Sequence, residues 1–287
     1  MEVYRNLREL QKNHTLSHMR LSMRSSIAIT IFSVIIIFSF TNDILFHSIT
    51  EIFSSIIYFG VFVIILNTYN MNKNNFLVFL GIGHLFVAIL GMIHVFSYPG
   101  LAIFSNNDNY NISMQLNIAL AYIEAFTCLG SILLIYRPVK DLNNNLVFIV
   151  FSFIFALSIA SIFYFKIFPT CYNKGQTEFK IISEYITSFI FLILSILYFK
   201  LRKNIDSQMF FYMECYLITK IVTELLLSMF SSTNDSIYIV SHILKVVYHL
   251  FIYKGVIELG LRRPYAIIFH KLDKSNSKLK IANNKLE

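Results

Sequence analysis

Ser241–Gly255 reads "SHILKVVYHLFIYKG". The stretch is apolar enough to lie in lipid. It nevertheless carries His242, Lys245 and His249 three and four residues apart, which sets all three on one face of a helix. Two imidazoles and an ammonium along one side of an otherwise apolar helix call for polar company inside a bundle, not lipid.

The rest of the chain supports a membrane reading. Of 287 residues, 56% are hydrophobic and only 14% charged, against about 25% charged in an ordinary soluble domain. Trp is absent, so Phe (29) and Tyr (17) must supply the interfacial belts. Cys128, Cys171 and Cys215 are widely spaced and form no CxxC pair. They point to neither a disulfide framework nor a thiolate metal site.

A membrane span needs about 20 mostly apolar residues. Eight such runs are predicted, at 22–41, 48–67, 76–97, 113–136, 145–165, 181–200, 208–230 and 237–258. The expected fold is therefore all-α, a polytopic membrane bundle of about eight transmembrane helices. Residues 1–21 read as a cytoplasmic, basic amphipathic lead-in, 22–263 as the membrane domain, and 264–287 as a cytoplasmic output helix or linker. No run shows a cleavable signal pattern.

Orientation follows from Lys and Arg. With both termini inside, 18 of the 24 Lys and Arg residues fall in cytoplasmic segments, and only Lys166, Lys174 and Lys180 fall outside. The expected location is the cell membrane, multi-pass, with cytoplasmic termini. The formal charge of +8 is spread over membrane-flanking loops, which argues against a nucleic-acid partner.

Charged groups inside the bilayer are expensive, about 2.5–3.5 kcal/mol each at the centre of a span. This chain places Glu51, His84, His94, Glu124, Glu184, Glu214, Lys220, Glu224, His242, Lys245 and His249 within its runs. At about 1.5 Å rise per residue, His47, Glu51, His94, Glu184 and His242 lie within roughly 8 Å of the outer boundary. Glu224 and Lys245 lie about 10–12 Å down, and Glu124, Lys220 and His249 about 16–18 Å. Polar glue between helices has no reason to prefer one leaflet. An outer pocket lined by His and carboxylate has one, and the polar stripe of the last span faces it. Imidazoles and a carboxylate at one depth can hold a metal ion, with His47, His94 and His242 the candidates. Two axial imidazoles can hold a haem. Neither HExxH nor CxxCH occurs, and no nucleophile–base spacing or phosphate-binding Gly loop is visible. The expectation is a protein that is not an enzyme in itself. The outer connection "KIFPTCYNKGQTEFK", from Lys166, could be a lid or an ordinary ordered loop.

From His47 to Leu272 the chain resembles the third type of bacterial membrane-associated sensor domain, the input module of histidine kinases and diguanylate cyclases. The resemblance rests on "HSITEIF", "LFVAILGMIH" with "YPG", "QLNIALAYIE", "SIFYFKIFPTCY", "FKIISEY" and "SHILKVVYHLFIYKGVIELGLRRPY", in that order. It implies that His47, Glu51, His94, Gln115, Tyr122, Glu124, Lys166, Pro169, Glu184, Tyr185, His242 and Lys245 are motif positions. All of these except Lys166 and Pro169, with Glu224 from the depth argument, make up the expected ligand-binding set. Asn117 and Gly91 depart from the family pattern, which commonly has Trp and an acidic residue there. Members usually continue into an enzymatic output domain, whereas this sequence ends at Glu287.

The implied role is a sensory input module for an unidentified small ligand, metal or redox signal. Its expected partners are the lipid bilayer and a histidine kinase or diguanylate cyclase output module. A haem- or metal-binding redox protein is the competing reading. Beyond Pro264, Leu272, Leu279 and Leu286 stand seven apart, one stripe of a coiled coil. They are the candidate output residues, and pairing along that stripe would make a homodimer.

Overall fold

A computed structural model describes residues 33, 36–72, 74–101, 103, 110–139, 142–203, 205–230, 235–257, 275 and 277. The chain divides into two compact units, Met1–Phe46 and His47–Glu287. In the first unit, residues 36–41 are helical, and Ser39 donates to the Ile36 carbonyl at 2.7 Å. Asn42 then accepts from the Leu45 amide at 2.9 Å as the next helix begins.

Among the described residues there are seven long helices and no strand. They are α1 (Asp43–Asn72), α2 (Asn75–Phe96), α3 (Asn111–Tyr136), α4 (Asn144–Ile159), α5 (Glu178–Lys200), α6 (Ser207–Leu227) and α7 (Ser236–Ile257). A π-helical turn, Ala160–Tyr164, extends α4. The polar connectors double as helix caps. Asn74, Asn143, Thr177 and Asp206 each accept hydrogen bonds from amides in the first turn of the following helix, satisfying donors that a helix start leaves without partners. After α2, "YPG" turns the chain. Gly100 takes φ +92°, a backbone conformation that side chains disfavour.

Six segments are long and apolar enough to cross a membrane: α1, α2, α3, α4 with its π turn, α5 and α7. They match six of the eight predicted runs. Most of the first run, 22–41, lies outside the described residues. The seventh forms α6 as expected, but it falls short of the apolar six. Glu214, Lys220 and Glu224 sit in 21 residues and dilute its apolarity. The lead-in 1–21 and the candidate output residues Pro264, Leu272, Leu279 and Leu286 lie outside the described residues.

In the second unit, α6 packs along α5 and α7, α2 packs along α3, and α3 also meets α5. Leu80, Leu90, Leu116, Phe191, Leu194, Tyr216, Tyr248 and Ile252 are fully buried at the centre. Gly83 lets α2 and α3 approach closely, since a Cβ there would fall inside the Thr127 side chain. Outward faces remain apolar, as lipid requires. Leu146, Ile149 and Phe153 on α4 and Ile182, Ile186 and Phe189 on α5 are all exposed.

Candidate functional site

Buried polar groups in this bundle form two clusters at different levels. The outer cluster surrounds a cavity of about 50 Å³, whose lining includes His47, Glu51, His94, Lys180, Glu184, His242 and Lys245. These residues come from α1, α2, α5 and α7. Each of the seven is buried. Helical spacing explains the local pairs: His47 and Glu51 are four apart, as are Lys180 and Glu184, and His242 and Lys245 are three apart.

The central contact joins the first and last of these helices. Lys245 Nζ donates to Glu51 Oε1 at 2.7 Å, and His242 Nε2 lies 3.6 Å from the same oxygen. On α5, Lys180 Nζ sits 2.7 Å from Glu184 Oε1 and donates to the Leu227 carbonyl at 2.5 Å.

Partners fix the imidazole tautomers, because a carbonyl oxygen can only accept. His94 Nδ1 donates to the Ser113 carbonyl at 2.7 Å, and His242 Nδ1 to the Tyr238 carbonyl at 2.9 Å. When neutral, each ring then keeps a lone pair on Nε2. His47 Nδ1 lies 3.3 Å from His242 Nε2 and 2.8 Å from the Tyr238 hydroxyl. Donation from His47 to the His242 lone pair leaves His47 Nε2 as a second bare lone pair. That atom is buried and has no hydrogen-bond partner. Tyr98 stacks on the His47 ring at 3.7 Å and holds its plane.

The inner cluster contains Glu124, which was expected in the pocket, and seven further residues. Glu124 Oε1 accepts from the Tyr58 and Tyr216 hydroxyls, and Oε2 from Lys220 Nζ at 2.8 Å. Lys220 also pairs with Glu224 at 2.7 Å and donates to the Tyr248 hydroxyl at 3.2 Å. His84 and His249 flank the Tyr58 ring, with centroids at 4.5 and 4.3 Å. Glu124 and Glu224 therefore do not line the cavity. Glu124 lies nine residues further along α3 than Gln115, two and a half turns deeper.

Three other expected positions also lie away from the cavity. Gln115 is buried but donates to the Phe168 and Pro169 carbonyls at 2.9 and 3.0 Å, tying the outer loop to α3. Tyr122 is half-buried and does not line the cavity. Tyr185 is 49% exposed, because one residue beyond Glu184 on a helix turns it away from the bundle. Lys166 is exposed, with φ +53°.

The outer loop is strapped at several points. Asn111 accepts from the Cys171 and Tyr172 amides at 2.7 and 3.0 Å, and Gln176 donates to the Phe230 carbonyl at 2.7 Å. Burial pushes the Cys171 thiol up to about 12, so it stays protonated at neutral pH. The loop is thus an ordered connection pinned to α3 and to the end of α6.

Sequence reasoning missed Tyr98, Ser113, Lys180 and Tyr238 around the cavity, and Tyr58, Tyr216 and Tyr248 in the inner cluster. Two had a visible signal: Tyr238 stands four residues before His242, and Lys180 four before Glu184.

A family model described as a membrane-associated sensor domain matches residues 38–264. The chain belongs to that family. No curated protein and no solved structure matches it. Nearly all of this membrane-associated sensor domain's described helices, and both of its polar clusters, fall inside the matched region. A cavity of about 50 Å³ is small for such a site. Drug-sized ligands occupy roughly 300–1,000 Å³, so the space suits an ion or a molecule of a few atoms. A haem does not fit it.

Proposed function

We propose that this sensor domain is the input module of a signalling protein in the plasma membrane of a bacterium, and that its outer cavity is the receptor. The domain spans the membrane eight times with both termini in the cytoplasm, as the Lys and Arg asymmetry indicates. The cavity then opens toward the extracytoplasmic side. Its occupant biases the last helix, and the segment after Arg263 passes that bias to a histidine kinase or diguanylate cyclase output.

One observation carries this reading. Of the helices that reach both levels, α7 is the last in the chain: His242 and Lys245 line the cavity, while Tyr248 and His249 belong to the inner cluster. A change at Glu51–Lys245 therefore acts on the helix nearest the output segment. Such a switch needs two states that the occupant binds unequally.

The test is a chimera in which residues 1–287 drive a cyclase or kinase of known output. Output should respond to an external stimulus, and His242→Ala should abolish the response at unchanged membrane abundance. A response that survives in that variant refutes the cavity as receptor. External labelling of a cysteine placed after Arg137 or Lys203 would refute the orientation.

A further inference from the structure

We infer that the cavity holds a divalent first-row transition-metal ion, bound by His47, Glu51 and His94, and that Lys245 is the cation it displaces. This deepens the receptor reading above and rests on it only for its signalling consequence.

Geometry comes first. His47, Glu51 and His94 each offer one ligand atom, and those atoms lie within 4.8 Å of one another. Ligands at about 2.0–2.2 Å from a common ion are at most about 4.4 Å apart. A small rotation of the side chains closes the difference. The three residues come from two helices, α1 and α2, and all are buried.

The hydrogen bonds around them point the same way. A metal-bound imidazole commonly donates its other N–H to a carbonyl or another acceptor, which fixes the tautomer. His94 donates to the Ser113 carbonyl, and Ser113 Oγ stands 3.0 Å from the same nitrogen. His47 Nδ1 has two possible acceptors, His242 Nε2 at 3.3 Å and the Tyr238 hydroxyl oxygen at 2.8 Å. His47 Nε2 is buried with no partner, and burying such an atom is unfavourable unless something binds it. His242 and Tyr238 therefore stand behind His47 and orient it. His242 is not itself a ligand, which revises the expected metal set of His47, His94 and His242. Two imidazoles and one carboxylate with positions left open suit Fe²⁺, Zn²⁺ or Co²⁺. Ca²⁺ and Mg²⁺ favour all-oxygen coordination, which a set with two imidazoles does not offer.

Lys245 explains how the carboxylate is held before the ion arrives. Its ammonium sits 2.7 Å from Glu51 Oε1 and neutralises the charge. An incoming dication competes for that carboxylate and repels the ammonium. Glu51 changes its partner from α7 to the ion, and α7 loses its ion pair with α1. The site thus couples metal occupancy to the position of the last helix.

The competition predicts effects of opposite sign. The full chain in detergent is titrated with Co²⁺, read by its visible absorption and by metal content after dialysis. Wild type should bind one equivalent. His94→Ala and His47→Ala should weaken binding by at least about tenfold, while Lys245→Met should tighten it several-fold. The Lys245→Met gain separates competition from damage, because a misfolded variant does not bind better. Absence of stoichiometric binding in wild type, or equal binding in wild type and His94→Ala, overturns the metal site. Unchanged or weakened binding in Lys245→Met overturns the displacement. Neither result touches the chimera, so a receptor for another small ligand would still register there.

Discussion

The outer and inner clusters use the same chemistry to different ends. Both combine lysine, glutamate, histidine and tyrosine. In the inner cluster both oxygens of Glu124 are claimed, by Tyr58, Tyr216 and Lys220, and none of its residues lines the cavity. In the outer cluster Glu51 is tied mainly to one lysine, a cavity adjoins it, and His47 keeps a buried nitrogen without a partner. Imidazole nitrogens without a hydrogen-bond partner occur in both, at His84 and His249 Nε2 in the inner cluster and His47 Nε2 in the outer. The difference therefore lies in the cavity: a polar network packed without space holds helices together. One that leaves space can exchange a partner.

The comparison would break first at its lysines. Lys220→Met leaves Glu124 and Glu224 without their shared cation in the sealed interior. Removing one partner of a buried ion pair costs about 3–5 kcal/mol, so thermal unfolding in detergent should drop sharply or the protein should fail to accumulate. Lys245→Met, beside the cavity, should lose distinctly less. Equal losses would erase the distinction between the two clusters.

Next in size is Gly83→Ala. The added Cβ meets Thr127, which is itself fixed by donation to the Ile123 carbonyl at 2.7 Å. Overpacking of this kind costs about 1–3 kcal/mol. The loss should appear as a lower unfolding temperature with little change in Co²⁺ affinity, because the clash is remote from His94. Tyr185→Ala should do least. Half-exposed on the outside of α5, it should change stability by no more than about 0.5 kcal/mol and leave metal binding unaltered. A marked effect on binding would return Tyr185 to the site.

Much of this was legible beforehand, for stated reasons. Apolar run length predicted the helices, and turn-rich connectors became their caps. Depth along each run grouped His47, Glu51, His94, Glu184 and His242, all of which line the cavity. Depth set Glu124 well below that group, and only a motif carried it into the expected set. Glu224 shares its depth with Lys245, which does line the cavity, because a level in the membrane does not say which way a side chain turns. Tyr185 was misplaced for a different reason. It was carried by a motif, and neighbours in a motif point about 100° apart on a helix. The pairings Glu51–Lys245 and Glu124–Lys220 were invisible. Helical spacing reveals partners within one helix, and these partners lie 194 and 96 residues apart.

The charge on α6 bears on how such a protein is assembled. Glu214, Lys220 and Glu224 make α6 a poor candidate for entering lipid unaided, since each charge near the centre of a span costs about 2.5–3.5 kcal/mol on insertion. Its partners are distributed along the chain in a useful order. Glu124 is translated 96 residues before Lys220, so the acid is in place on α3 when the base emerges. Glu224 follows one turn later within α6 itself, and Tyr248 arrives last on α7. Chain order thus puts Glu124, one partner of Lys220, ahead of α6, while Tyr248, another, follows it.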